Sequence, residues 1–583
     1  MRYPSFLYFR PIQNSLCLIL ALSLFACEES PKEEAKTSED FKAYMASLPQ
    51  EVSSFRPAYL EEFGKSGYTL NSISQNGQQR RIDLLKSQLD KLQAAPALQD
   101  SVRKIANEAD IWAIKQIIAG EKLYLYEDPL SPRNGFHAKL MRSFHEQVCL
   151  TKEETEDYNA RLKMVPGYIR DAVSLLQARE AAGIFSSEEA IKDVKKEIEE
   201  LLAREINQHP IYRGLAIKLN GVNPTEMNLY QAGDYLAVTE SNLKDYFIPA
   251  YEKILPILDE LSPAQNKEAS ESFYQWKLNS YCGEKVEPEL LFTEGQHKLD
   301  SLNSLLAFVD ADIKESGRKR KIIEKRKRNR VEKVQMFASD MRKAREQMIS
   351  LFDSLPQRSP EIMLKPSHLS GDFVIKYETA SLDQVRKARI VVDEEKWQEL
   401  NAFEQSVLLY KNLYPGTHTL KQLSDTEVSY IDLLDYPAWE KGWQEYVLRL
   451  ANEPLYLFSE NPYSRKDYLE LQILQQAAML ADIGIHHKSW SSKEAEDFLR
   501  KNAFSSTSDL EEVLLQIFAD PGFYTATTYG ADQFSKLMAE AQVRYPNKLT
   551  FKSFHSICFA HGPLPWNLLK RLVNVYGTAN LER

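Results

Sequence analysis

EEAIKDVKKEIEELLAREI, residues Glu188 to Ile206, decides the fold class. Its apolar residues Ala190, Ile191, Val194, Ile198, Leu201 and Leu202 recur three and four places apart, with Lys and Glu between them. That spacing puts one apolar stripe on a helix. Ser186 stands three residues before Glu189, a pattern that starts helices by reciprocal capping. RRIDLLKSQLDKLQ, Arg80 to Gln93, repeats the periodicity, and similar spacing continues along the chain from about Phe41. The expected fold is therefore predominantly α, a large multi-helix body. Residues 361–392 break the pattern: EIMLKPS, FVIKYET and ARIVV are short, rich in β-branched residues and separated by turn residues. They predict a small sheet or hairpin.

SLPQRSP, Ser354 to Pro360, is a candidate boundary. It would divide an N-terminal helical lobe, residues 41–353, from a C-terminal lobe, residues 354–583, that carries the β section. The alternative is a single domain over residues 41–583. With 583 residues, 43% of them hydrophobic and 27% charged, the chain can bury a large core. Its formal net charge of -10 argues against nucleic acid as a general partner, because that binding depends on neutralising phosphates.

The N-terminus has the form of a lipoprotein leader. Arg2 and Arg10 precede the apolar run LCLILALSLF, Leu16 to Phe25, and Leu24-Phe25-Ala26-Cys27 resembles a bacterial lipobox. The run is too short to span a bilayer comfortably, so residues 1–26 read as a signal peptide. Cys27 would then be the lipidated terminus, a membrane partner through its acyl chains. The alternative is a secreted soluble protein. Residues 27–40, acidic and poor in large apolar groups, read as a disordered tether. Cys149, Cys282 and Cys558 allow at most one disulfide, and their spacing suggests neither a zinc knuckle nor a redox pair. RKRKIIEKRKRNR, Arg318 to Arg330, is either an anionic-surface contact or the solvated face of a long helix.

Several collinear stretches carry a family resemblance: SYCGEKVEPELLFTEGQHKLDSL (Ser280 to Leu302), KGWQEYVLRLA (Lys441 to Ala451), ADIGIHHKSWSSKEAEDFL (Ala481 to Leu499), DPGFYTATTYG (Asp520 to Gly530) and FHSICFAHGPLPWNLLKRLV (Phe554 to Val573). Together they resemble bacterial domain-of-unknown-function family 885, whose members are often lipoproteins and look like metal-dependent peptidases. The resemblance implies a centre of the form His-Glu-x-x-Pro-Gly-His-His, with a further Glu before Gly-Trp. Such groups would hold a zinc-like ion and a neighbouring base for its water.

Aligned on Pro415-Gly416, the implied site is degenerate. Lys411 takes the place of the first His, Asn412 that of the catalytic Glu and Thr417 that of the next His, leaving only His418. Lys441 stands where the carboxylate before Gly442-Trp443 would be. Lysine offers no lone pair and repels a dication, so the resemblance implies an inactive relative without a cofactor. The candidate role is binding a peptide, envelope polymer or protein partner.

Alternatives remain at this stage. Glu445, one helical turn from Lys441, together with His418, His486 and His487 could build a displaced zinc site and restore a hydrolase. Otherwise Glu445 faces solvent and the histidines are hydrogen-bonded structural groups. Lys411 and Lys441, with Asn412, Thr417 and His418, could instead hold an anionic ligand, or each lysine pairs with a nearby acid. A purely structural envelope lipoprotein is the third class. The His-Glu pair in HEQVC, His145 to Cys149, lacks a second ligand. Gly484 is expected to end its helix, and Trp443, Trp490 and Trp566 are expected in the core. Neither a phosphate-binding loop nor a Gly-x-Ser-x-Gly elbow is present.

Overall fold

The computed structural model describes residues 70, 72–94, 101–131, 135–147, 149–220, 222, 227–262, 270–317, 320, 329–365, 373–380, 387–424, 429–459, 461–503 and 507–578. The leader, Cys27, the acidic tether and most of the basic run lie outside the described residues. What is described is predominantly helical, with one small sheet.

The helices start where local chemistry lets them. Thr151 opens the helix Lys152–Ala181 by accepting the Glu154 N–H at 3.2 Å, and the Glu154 carboxylate accepts the Thr151 N–H at 3.0 Å. The amphipathic stretch forms a helix over Glu188–Leu202, but its cap is Ser187, which accepts from the Ala190 N–H at 3.1 Å. Ser186 turns away to donate to Asp128 at 2.7 Å. Val194 and Ile198 from this helix join Leu162, Leu215, Phe247 and Ile254 in an N-terminal apolar core.

The β section is a three-stranded sheet of order β1-β3-β2, where β1 is Glu361–Leu364, β2 Ile375–Glu378 and β3 Arg389–Val392. β3 pairs parallel with β1 and antiparallel with β2, so it is the central strand. Ile390, Val391 and Val392 are all buried, as a strand covered on both faces requires.

Two helix pairs position the site. Pro437–Asn452 crosses Phe523–Arg544 with Gly442 against Gly530. A Cβ on Gly530 would stand 1.8 Å from the Ala438 carbonyl oxygen, so only glycine allows this approach. Pro288–Ser316 runs antiparallel to Pro462–His487, with Glu289 on Lys488 at 2.7 Å near one end and Asp310 on Lys466 at 2.6 Å near the other. Gly484 lies inside this second helix and does not end it. Its missing side chain makes room for the Trp490 ring, which a Cβ would meet at 2.3 Å. Trp443 and Trp566 are buried, while Trp490 is half-buried between Phe292 and Phe498.

Contacts cross the sequence position 353/354 in several places. Phe352 stacks on His555 at 4.4 Å, His145 meets Glu378 at 2.6 Å, and Ser429 donates to Asp110 at 2.6 Å. The described residues belong to one compact unit. Among them no helix is long and apolar enough to cross a membrane. Cys149, Cys282 and Cys558 are buried free thiols.

Candidate functional site

The Pro-Gly turn joins two helices. Asn401 starts Ala402–Asn412 with a capping box to Glu404, and Thr417–Leu423 follows the turn. Between them Gly416 lies so close to the preceding helix end that a Cβ would reach the Lys411 carbonyl oxygen at 2.0 Å. The Thr417 hydroxyl donates to that same oxygen at 3.3 Å, and the Trp443 indole donates to the Pro415 carbonyl at 2.8 Å. The turn is thus fixed to the helix Pro437–Asn452. Its Gln444 amide donates to the Thr417 hydroxyl at 2.6 Å.

Lys411 and Glu445 meet here. The Lys411 ammonium donates to Glu445 Oε1 at 2.5 Å. Glu445 does not face solvent: its side chain is 4% exposed, against 24% for Lys411. Its Oε2 is buried without a hydrogen-bond partner. Asn412 turns back to the Leu408 carbonyl at 2.9 Å. Lys441, one turn before Glu445, is half-buried and engaged.

His418 is buried and has no nitrogen to spare. Nε2 lies 3.0 Å from the Arg358 carbonyl oxygen, which can only accept, so Nε2 carries the proton. Nδ1 is then the acceptor for the Tyr377 hydroxyl at 3.1 Å. Burial lowers its pKa to about 4, against the smaller opposing effect of the Arg358 carbonyl, so the ring is neutral near pH 7.

His486 belongs to a different neighbourhood. Its Nε2 donates to the Ile517 carbonyl at 3.1 Å, and its ring lies 5.3 Å from that of Tyr274. Burial lowers its pKa to about 4. Asp482, one turn earlier, accepts from the Gly522 N–H at 2.9 Å and from the Thr525 hydroxyl at 2.8 Å, closing the start of Phe523–Arg544. Burial outweighs those hydrogen bonds and raises the Asp482 pKa to about 7. Next to it Lys277 pairs with Asp520 at 2.8 Å, and Tyr281 donates to the same carboxylate oxygen at 2.8 Å. His487 is half-buried, 3.8 Å from Glu289. The structure therefore joins Lys411, Thr417 and Glu445, but gives His418 and His486 separate sets of partners.

These residues do not fit a zinc ion. The lone pair of His418 is taken by a phenol, and the available carboxylate already faces a cation. Among the described residues no three His, Cys, Asp or Glu side chains converge as a metal site.

Sequence reasoning missed a neighbouring charge cluster. Arg449 on Pro437–Asn452 and Lys298 on Pro288–Ser316 both contact Asp532 Oδ1, at 2.7 and 2.6 Å. Burial opposes the charge on Asp532, but Arg449 and Lys298 outweigh it and hold the pKa below the usual range. Lys441, Glu445 and Arg449 recur every four residues, a helical-face signal that could have revealed the third member.

The fold is shared with solved proteins. A candidate lipoprotein from Colwellia psychrerythraea matches with a TM-score of 0.81 and 16% identity, over 93% of this chain and 99% of its own. A candidate lipoprotein of unknown function from Shewanella oneidensis matches with a TM-score of 0.65 and 14% identity, over 92% and 99%. No curated protein matches the chain. Residues 57–573 match the model of a bacterial protein family of unknown function, DUF885, and the chain belongs to that family.

Proposed function

We propose that this protein is a lipid-anchored envelope protein that binds a peptide-like ligand without metal catalysis. The observation that carries the reading is the Lys411–Glu445 pair beside the Pro415-Gly416 turn. Where the resemblance implies a metal cation, an ammonium group meets a buried carboxylate, supplying one positive charge from within the chain. A dication brought there would be repelled by that charge, and His418 would first have to give up the Tyr377 hydrogen bond. With the Glu445 carboxylate turned to an ammonium and both His418 nitrogens engaged, these residues offer a Lewis-acidic ion no ligand set from which to activate water or polarise a carbonyl. The pattern at Cys27 and the likeness to candidate lipoproteins support anchoring by acyl chains.

Two experiments test the reading. A quenched peptide pool incubated with the purified protein, with and without added zinc, should show no hydrolysis above buffer. Zinc-dependent cleavage abolished by Glu445→Gln would overturn the non-catalytic assignment. Fractionation of expressing cells should place the protein in the membrane pellet and Cys27→Ser in the soluble fraction. Equal partition of both would remove the anchor.

A further inference from the structure

Two helical segments carry local defects on either side of one cleft. The helix Lys152–Ala181 has Pro166 in its interior, followed directly by Gly167. The proline removes a backbone N–H and the glycine has low helix propensity, so both weaken the helix where they stand. Packed against it is a π-helical turn, Leu243–Phe247, set between the helices Leu229–Asn242 and Ile248–Glu260. Such turns are rare and gather at functional positions. The cleft between the two segments has a volume of about 530 Å³ and is closed at one side by Leu70 and Ser72. That volume lies in the range of small-molecule sites.

Lys163, Gly167 and Arg170 all line the cleft, and their spacing of four and three residues puts them on one helical face. A Cβ on Gly167 would meet only the Arg170 guanidinium within 4 Å, at 3.7 Å, so the backbone between the two cations is bare. Lys163 and Arg170 are exposed, and among the described residues neither forms an ion pair. Asp171, the one carboxylate of the lining, accepts the Ser72 hydroxyl at 2.6 Å. The lining thus carries two positive charges against one negative. Its walls are largely carbon. Leu70, Met164 and Pro166 contribute apolar surface, and the Tyr168 hydroxyl is used up in donating to the Phe136 carbonyl at 3.2 Å, which leaves its ring. From the π-helical turn comes the half-buried phenol of Tyr246.

We propose that this cleft binds a small amphipathic monoanion, its carboxylate or phosphodiester head over Gly167 between Lys163 and Arg170 and its apolar body along the walls. One negative charge balances the lining, and both kinds of head accept charge-assisted hydrogen bonds from a guanidinium and an ammonium. The absence of a side chain at Gly167 lets the head approach the helix closely. An inorganic anion would leave the apolar walls and most of the volume unused, whereas a neutral apolar molecule would leave the two cations without a partner. The cleft shares no residue with the site beside the Pro-Gly turn.

The test is equilibrium dialysis of the full-length Cys27→Ser protein against octanoate, octanol and acetate. Octanoate should be retained about tenfold or more over octanol, the size expected for hydrogen bonds to a charged group, and over acetate, which lacks the apolar body. Lys163→Met and Arg170→Met should each lower octanoate retention about tenfold with the melting profile unchanged, since both side chains are exposed. Gly167→Leu fills the floor of the cleft with a better helix former, so it should abolish retention without lowering the melting temperature. Sedimentation with phosphatidylglycerol vesicles, lost in Arg170→Met, would support the proposal with a membrane lipid as the source of the anion. Octanoate retention without vesicle binding would support it with a free acid as the source. Octanol retained as well as octanoate would overturn the anionic head, and acetate retained as well would overturn the apolar body. Retention of none of the three, or octanoate retention unchanged by all three substitutions, would overturn the site.

Discussion

Replacing Lys411 with methionine removes one charge and keeps most of the side-chain volume, so it isolates the ion pair. Its partner Glu445 is 4% exposed at the side chain and has one buried oxygen that already lacks a hydrogen bond. Water cannot take over from the ammonium at such a position, and the desolvation cost falls on the carboxylate. Breaking a buried pair in this way costs about 3–5 kcal/mol. The lower end is expected here, because the 24% exposure of Lys411 brings some solvent to the pair. Glu445→Gln added to Lys411→Met removes the stranded charge and should recover most of the loss. Urea unfolding followed by tryptophan fluorescence is the assay, since Trp443 hydrogen-bonds to the adjoining turn. The four members of the double-mutant cycle give the coupling between the two sites. A Lys411→Met protein within about 0.5 kcal/mol of wild type, the scale of ordinary surface changes, would refute the buried pair. So would a double variant no more stable than the single one.

Gly530→Ala would push a methyl group into the Ala438 carbonyl, and the separated helices should lose about 3 kcal/mol or more, read as a lower urea midpoint. Acid should destabilise the protein between pH 6.5 and about 4. Buried His418 and His486 have folded pKa values lowered from 6.5 to about 4, so the unfolded chain binds more protons across that window. Each contributes about 3 kcal/mol that is fully present above pH 6.5 and lost as pH falls through about 4. Asp110 and Asp482, raised to about 7, act in the opposite direction as pH rises from 4 to 7, but buried His137, His209 and His555 add to the acid loss. His418→Gln, which keeps a donor and an acceptor but does not titrate, should flatten the acid limb of a stability titration. An unchanged slope would contradict burial of a neutral imidazole.

The sequence was most legible where the signal is local. The stripe from Ala190 to Leu202 and the β-branched segments of residues 361–392 each report their own backbone, and both form the expected elements. Strand order was not legible, because β3 pairs with β1 and β2 through contacts that no short window contains. Gly484 illustrates an ambiguity of residue type: glycine serves both a left-handed cap and a close approach, and here Trp490 requires the second. Glu445 was expected either in a displaced metal site or facing solvent, yet it is buried against Lys411, which lies 34 residues away in the chain and supplies its counter-charge. The Pro415-Gly416 alignment pointed to Lys411 and His418, but not to their partners. Arg449 was available through its spacing from Lys441 and Glu445, whereas Lys298 and Asp532 join it only when three helices pack.

The central claim is that an internal ammonium and a saturated histidine leave no metal site beside the Pro-Gly turn. It is tested most directly by metal analysis of the protein purified without a metal-affinity tag, exposed to excess zinc and then passed through gel filtration. The account predicts no zinc retained in proportion to protein, for wild type and for His418→Ala alike. Retention of one zinc per chain, lost on His418→Ala or Glu445→Ala, would contradict it.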